Sequence, residues 1–205
     1  MFLFKCARRS LITALQLEQP LVCGHSDGGI VALTFAKDYP AIPRAIVVYG
    51  AAPVQRDLTH YFAGMRRFFA IDTRGPLSEA DLTRIAAERP AMVARYRRLH
   101  RPHEAPEYWR ELLTQIWPMW MQPLAYSPQE LAAIHTPSLV LMGDRDAFFR
   151  VEEALQLARL LPKAELAVAP GASHTFFQDK PRLFHELVLD FLRRYTSSPH
   201  DSQAR

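Results

Sequence analysis

The stretch Gly24-His25-Ser26-Asp27-Gly28-Gly29 decides how this 205-residue chain folds. An apolar run, Pro20-Leu21-Val22-Cys23, leads into it, and a helical pattern, Ile30 to Lys37, leads out. Strand, sharp turn and helix in that order give a G-x-S-x-G match a mechanical meaning. So tight a turn forces Ser26 into a sparsely populated backbone region with its hydroxyl outward. Gly24 and Gly28 are expected because a Cβ at either would clash where strand and helix nearly touch. The helix aims its first N–H groups at the same point, which suits an oxygen gaining negative charge. A glycine-rich loop without chemistry fits these six residues too, but two motifs downstream weigh against it.

Outward from the turn, residues 7–17 read as a helix with Leu11, Ile12 and Leu15 on its inward face. A helix over 28–38 stops at Tyr39-Pro40. Arg44-Ala45-Ile46-Val47-Val48-Tyr49 is a continuous apolar run, as expected of a strand buried on both faces. From 54 to 137 the texture changes to helical patterns rich in arginine, aromatics and proline. Ser78-Glu79-Ala80-Asp81 and Ser127-Pro128-Gln129-Glu130 both carry the reciprocal capping signature of a helix start. Strand and helix alternation then returns. Residues 137–142 and 164–169 read as strands and Val151 to Leu161 as a helix. A last amphipathic helix, Arg182 to Tyr195, turns Leu183, Phe184, Leu187, Val188, Phe191 and Leu192 inward.

This order predicts an α/β fold with a mostly parallel sheet flanked by helices. The core is expected at 1–53 and 138–196, with a helical insertion at 54–137 and a disordered tail at 197–205. With 49% hydrophobic residues the chain can bury a sizeable core, roughly 70% of its unfolded surface.

The formal net charge of +4 is mild and spread out. Its densest cluster, Arg95, Arg97, Arg98, His100, Arg101 and His103, suits the solvated face of a helix better than a nucleic-acid stripe. His100 and His103 have Pro102 between them and no acidic or thiol ligand arranged nearby, so no metal is expected. The two cysteines, Cys6 and Cys23, fit a reducing cytoplasm. No apolar run approaches the ~18 residues of a membrane span. The basic N-terminus lacks a cleavage site after a long enough apolar core, which argues against a targeting segment.

A serine hydroxyl is a poor nucleophile until a base takes its proton. The base is typically a histidine whose tautomer a carboxylate fixes. In parallel α/β sheets such groups gather beyond the C-terminal ends of the strands. Three candidates stand there: Ser26, an aspartate within Gly143-Asp144-Arg145-Asp146, and His174 in Pro170-Gly171-Ala172-Ser173-His174.

In that order the three motifs resemble the α/β-hydrolase fold, over residues 7 to about 195. Gly24 to Gly28 is similar to its nucleophile elbow. The resemblance implies Ser26 as nucleophile, His174 as base and Asp146, the second aspartate of its turn, as the acid; Asp144 is the rival. It makes 54–137 a helical cap, and the Asp27 N–H an oxyanion donor. Its substrate would be a small ester-like molecule, with no cofactor. Trp117, Trp120 and Phe148 are candidates for lining an apolar pocket, although core packing explains most of the aromatic run at 108–121. The Asp27 carboxylate would either cap its helix or pair with a cationic substrate group, as in valacyclovir-hydrolase-type amino-acid ester hydrolases, whose elbow this one resembles.

The resemblance also implies four strands and a helix ahead of residue 7. They include the loop that gives the second oxyanion donor, worth on the order of 2.7–4 kcal/mol of barrier. Without them the Ser26 strand is expected to be an open apolar edge that favours self-association, or a shortened chain that binds without catalysing.

Overall fold

The computed structural model describes residues 11–55, 58–100 and 105–196. The chain forms two compact units, a helical one over 57–124 and an α/β one from the flanking stretches. The expected tail and the basic N-terminus lie outside the described residues.

The α/β unit holds β1 (Leu21–His25), β2 (Ala45–Tyr49), β3 (Ser138–Gly143) and β4 (Ala164–Ala169). Among the described residues they form one parallel sheet in the order β1-β2-β3-β4. Val22 pairs with Ile46, Ile46 with Ser138 and Ser138 with Ala164. That register brings the chain out of every strand on the same rim. β2 and β3 are buried throughout, which explains their unbroken apolar runs.

Ala45, Val47, Tyr49, Leu139 and Leu141 face one layer of the core. Phe176, Val188 and Phe191 fill it from α8 (Phe176–Asp179) and α9 (Pro181–Arg193). On the opposite face lies α1 (Asp27–Asp38), with Gly29 against Val48. α7 (Val151–Leu160) packs on β3 and β4.

The helical insertion ends earlier than the expected 137. From Ala125 the chain is part of the α/β unit again. The Tyr126 N–H donates to the Pro53 carbonyl at 2.8 Å, and its hydroxyl lies 2.7 Å from Thr34 Oγ1. The capping box at Ser127 and Glu130 then opens α6 (Pro128–Ala132), and Glu130 pairs with Lys37 at 3.1 Å.

The helical unit contains α2 (Thr59–Phe69), α3 (Glu79–Glu88), α4 (Pro90–Leu99) and α5 (Tyr108–Met121). Ser78 and Asp81 cap α3 reciprocally. Trp109, Leu113 and Trp117 recur every four residues on α5 and are all buried. Arg95, Arg97 and Arg98 are exposed on α4, as expected of a solvated face, while Arg101 and His103 lie outside the described residues. No helix among the described residues is long and apolar enough to cross a membrane.

Two expectations need correction. Residues 11–14 are helical, but Leu11 and Leu15 are exposed rather than inward, because no described element covers that face. The elbow glycines also divide their labour differently. A Cβ on Gly24 would fall 1.9 Å from the Gly28 carbonyl oxygen, and one on Gly29 2.9 Å from the Ala51 Cβ. A Cβ on Gly28 would meet nothing within 4 Å. What Gly24 must clear is the backbone of Gly28, so the missing side chain matters at 24 and not at 28.

Urea unfolding separates these positions. Gly24→Ala should cost at least about 3 kcal/mol or abolish the cooperative transition, since backbone must move. Gly28→Ala should stay within about 1 kcal/mol of wild type, because the helix gains what alanine offers over glycine.

Candidate active site

Ser26 sits between β1 and α1 with φ 55° and ψ −120°, a region a non-glycine residue occupies only when its surroundings over-determine it. The surroundings here are hydrogen bonds on both sides. The Ser26 N–H donates to the Tyr49 carbonyl at 2.9 Å. The Ser26 carbonyl accepts the N–H groups of Gly29 at 2.8 Å and Ile30 at 3.2 Å. Asp27 is the first residue of α1, in the turn whose amides have no intrahelical acceptor four residues back.

Asp146 lies on the turn after β3, and its side chain is wholly buried. Oδ1 accepts the N–H groups of Phe148 at 2.8 Å and Phe149 at 3.1 Å. Oδ2 lies 2.8 Å from His174 Nδ1. A carboxylate oxygen accepts, so Nδ1 carries the proton and Nε2 is left as a lone-pair acceptor.

Asp144 has a different task. Its Oδ1 accepts the Ala172 N–H at 3.3 Å, and it holds the loop rather than the imidazole.

That loop crosses directly over the end of β3. A Cβ on Gly143 would fall 2.3 Å from the Ala172 carbonyl oxygen. Asp179 accepts the Ser173 N–H at 2.6 Å, and donation from Ser173 holds the Asp179 carboxyl below its ordinary value. The His174 ring is packed by Phe148, edge-on at 4.7 Å between centroids, and by Phe149, stacked at 6.1 Å. The imidazole also lies 3.2 Å from where a Gly50 Cβ would be.

Asp146, His174 and Phe148 are therefore in mutual contact. Ser26 joins them through β2: its N–H is on Tyr49, and the imidazole covers Gly50. Among the described residues Ser26 Oγ makes no hydrogen bond, and the ring bond of His174 runs to Asp146. Trp117 and Trp120 belong to the helical unit. Trp117 is core there, edge-on to Phe69, and its indole N–H has no acceptor among the described residues. Trp120 rests on the same Phe69 ring.

Sequence reasoning missed Phe149, Asp179, Gly50 and Tyr49. Tyr49 gave a signal, being the one polar group at the end of an aliphatic strand. Cys23 is exposed on β1, yet partial burial of its thiol pushes it up and keeps it protonated.

Residues 5–187 match the model of a family described as the alpha/beta hydrolase family. The chain belongs to the alpha/beta hydrolase family. It is similar to the 2-hydroxy-6-oxo-2,4-heptadienoate hydrolase of Pseudomonas putida, 26% identical over 89% of this chain and 66% of that protein. It is likewise similar to the sn-1-specific diacylglycerol lipase ABHD11 of Danio rerio, 26% identical over 89% of this chain and 60% of that one. The chain thus spans less than two thirds of either relative. Among solved structures, NosK from Streptomyces actuosus superposes with a TM-score of 0.69 at 26% identity, over 95% of this chain and 78% of that one. A meta-cleavage product hydrolase from Pseudomonas fluorescens superposes at 0.67 and 20% identity, over 90% and 68%.

The two carboxylates can be told apart in solution. Long-range 15N–1H spectra of histidine-labelled protein should show His174 protonated at Nδ1. Asp146→Asn, whose amide donates where the carboxylate accepted, should move that proton to Nε2. Asp144→Asn should leave the tautomer as it is.

Proposed function

We propose that this chain is a serine hydrolase that cleaves an ester or related acyl compound through an acyl-enzyme. The observation that carries the reading is the buried Asp146 carboxylate on His174 Nδ1, which leaves Nε2 basic and fixed in tautomer. Ser26 Oγ attacks the acyl carbon and its proton passes to Nε2. Asp146 steadies the imidazolium. The oxygen that gains charge is taken by the Asp27 N–H at the head of α1. The imidazolium then protonates the leaving alcohol. Water, deprotonated by the same nitrogen, releases the acid and returns Ser26.

Of the two relatives described above one is named a hydrolase and the other a lipase, which supports the reaction class. Ester cleavage is the finer part of the proposal. Phe148, beside the imidazole, is the assigned pocket residue of the α/β unit. Trp117 and Trp120 are assigned to the helical unit, and Asp27 would favour a cationic acyl group.

A second reading has its own observation. Among the described residues β1 is paired on one side only, its Cys23 is exposed, and so are Leu11, Leu15 and Leu17 ahead of it in the chain. On that reading the chain binds a small molecule or pairs with another chain through this edge, without turnover.

A fluorophosphonate probe and short p-nitrophenyl esters decide between them. Wild type should label and turn over. Ser26→Ala should abolish labelling and lower kcat by about 10³-fold or more. Wild type that labels no better than Ser26→Ala, together with ligand-induced stabilisation that survives the substitution, would favour the second reading.

A further inference from the structure

We infer that Tyr49 and His25 are positioning residues that grip the backbone carbonyl of His174 and thereby set the distance between base and nucleophile. The kinetic consequence rests on the hydrolase reading above; the geometry does not.

The bond to Asp146 and the packing of Phe148 and Phe149 hold His174 from the ring side, and leave its backbone carbonyl to be fixed separately. A second anchor on the far side of the same Cα does this. The structure supplies one. His25 Nε2 lies 2.9 Å from the His174 carbonyl oxygen, and the Tyr49 hydroxyl donates to that oxygen at 3.2 Å. A carbonyl oxygen has two lone pairs and only accepts, so His25 must carry its proton on Nε2. Burial pushes the Tyr49 phenol well above its ordinary value, which keeps it a donor.

The two donors are themselves held. The His25 ring stacks on Tyr49 at 4.4 Å between centroids, tilted by 24°. Phe184 packs on Tyr49 at 5.1 Å, and the Phe177 N–H donates to the Tyr49 hydroxyl at 3.5 Å. Gly50 makes room for the assembly. A Cβ there would press on the His174 ring at 3.2 Å and on His25 at 3.3 Å, at a φ of 58° that alanine tolerates poorly.

His25 is covalently joined to Ser26, the residue of the strained turn. Its bond to the His174 carbonyl therefore ties the nucleophile's own neighbour to the base's own backbone. That link is independent of Asp146. Asp146 fixes which nitrogen is basic, and the pair His25 and Tyr49 fixes where that nitrogen stands.

The test uses Tyr49→Phe and His25→Phe, which keep the rings and remove the donors, with His25→Gln to restore a donor. Each single loss should lower kcat and the fluorophosphonate labelling rate about fivefold with KM unchanged, the scale of one net hydrogen bond. The double variant should lose more than the roughly 25-fold product, because either donor partly covers for the other. His25→Gln should recover most of the single loss. Histidine 15N–1H spectra give a readout that needs no turnover. Wild-type His25 should be protonated at Nε2, and in the double variant the His174 ring signals should shift and broaden while Nδ1 keeps its proton. Tyr126→Phe, which removes a buried partner of Thr34, should lower thermal stability and change neither readout.

A wild-type His25 protonated at Nδ1 would overturn the inference. So would a double variant that keeps the wild-type His174 spectrum. If wild type fails to label while the His174 spectrum still loosens in the double variant, the hydrolase reading falls and the grip stands.

Discussion

A carboxylate with no exposed side-chain surface is costly to bury unless its lone pairs are used. Asp146 uses them on two backbone amides and one imidazole. The amides of Phe148 and Phe149 bind Oδ1, so the turn after β3 is wound around this side chain before His174 arrives. Oδ2 is then aimed at one place, and the loop after β4 must deliver a donor there. Removing one partner of such a buried pair typically costs 3–5 kcal/mol, because the other is left uncompensated. The turn, the loop and the tautomer of His174 all follow from satisfying this one group.

The rim where these groups meet is crowded, and glycines keep it passable. Gly24 lets β1 run into α1, and Gly143 lets the histidine loop cross β3. Gly50 lets two imidazoles lie over the end of β2. Each glycine lies at or just beyond the last two residues of a different strand, and each clears a different neighbour. Parallel pairing brings all strand ends to one rim, and the rim is usable only because side chains are missing there.

Much of this was legible in the sequence because it is local. Buried parallel strands write continuous apolar runs, and 45–49 and 138–143 were readable for that reason. Capping boxes are four-residue devices, so Ser78 and Ser127 announced their helices. Ser26, Asp146 and His174 stood out because each closes a short motif at a strand end. What failed depends on partners far away in the chain. The Gly28 reading assumed a clash that the fold places at Gly24. The inward face assigned to Leu11 and Leu15 needed a covering element that no described residue supplies. Asp144 and Asp146 are chemically alike in sequence, and only the loop 28 residues on separates them, one taking the Ala172 N–H and the other the His174 ring. The insertion boundary moved because Tyr126 reaches back to Thr34, 92 residues away. Tyr49 passed as the end of a strand until its hydroxyl met a carbonyl from 125 residues later.

Among the described residues the two outer strands of the sheet are not equivalent. At β4 the outward Glu165 is held by Arg194 through two bonds of 2.7 Å, and a charged edge resists pairing with another strand. β1 has no charged residue, and its exposed position is Cys23. The strand that delivers Ser26 is therefore the less guarded one. Its hold on the unit comes from pairing with β2, from Gly29 of α1 lodged against Ala51, and from the His25 bond to the His174 carbonyl. Asp146 and His174 come from the other side of the sheet and are braced by each other. If β1 loosens, Asp146 and His174 keep their mutual geometry while Ser26 moves away from them. The bond from His25 reaches across the rim from β1 to the His174 backbone, beside the contact of the two imidazole rings at 4.7 Å, and resists that displacement.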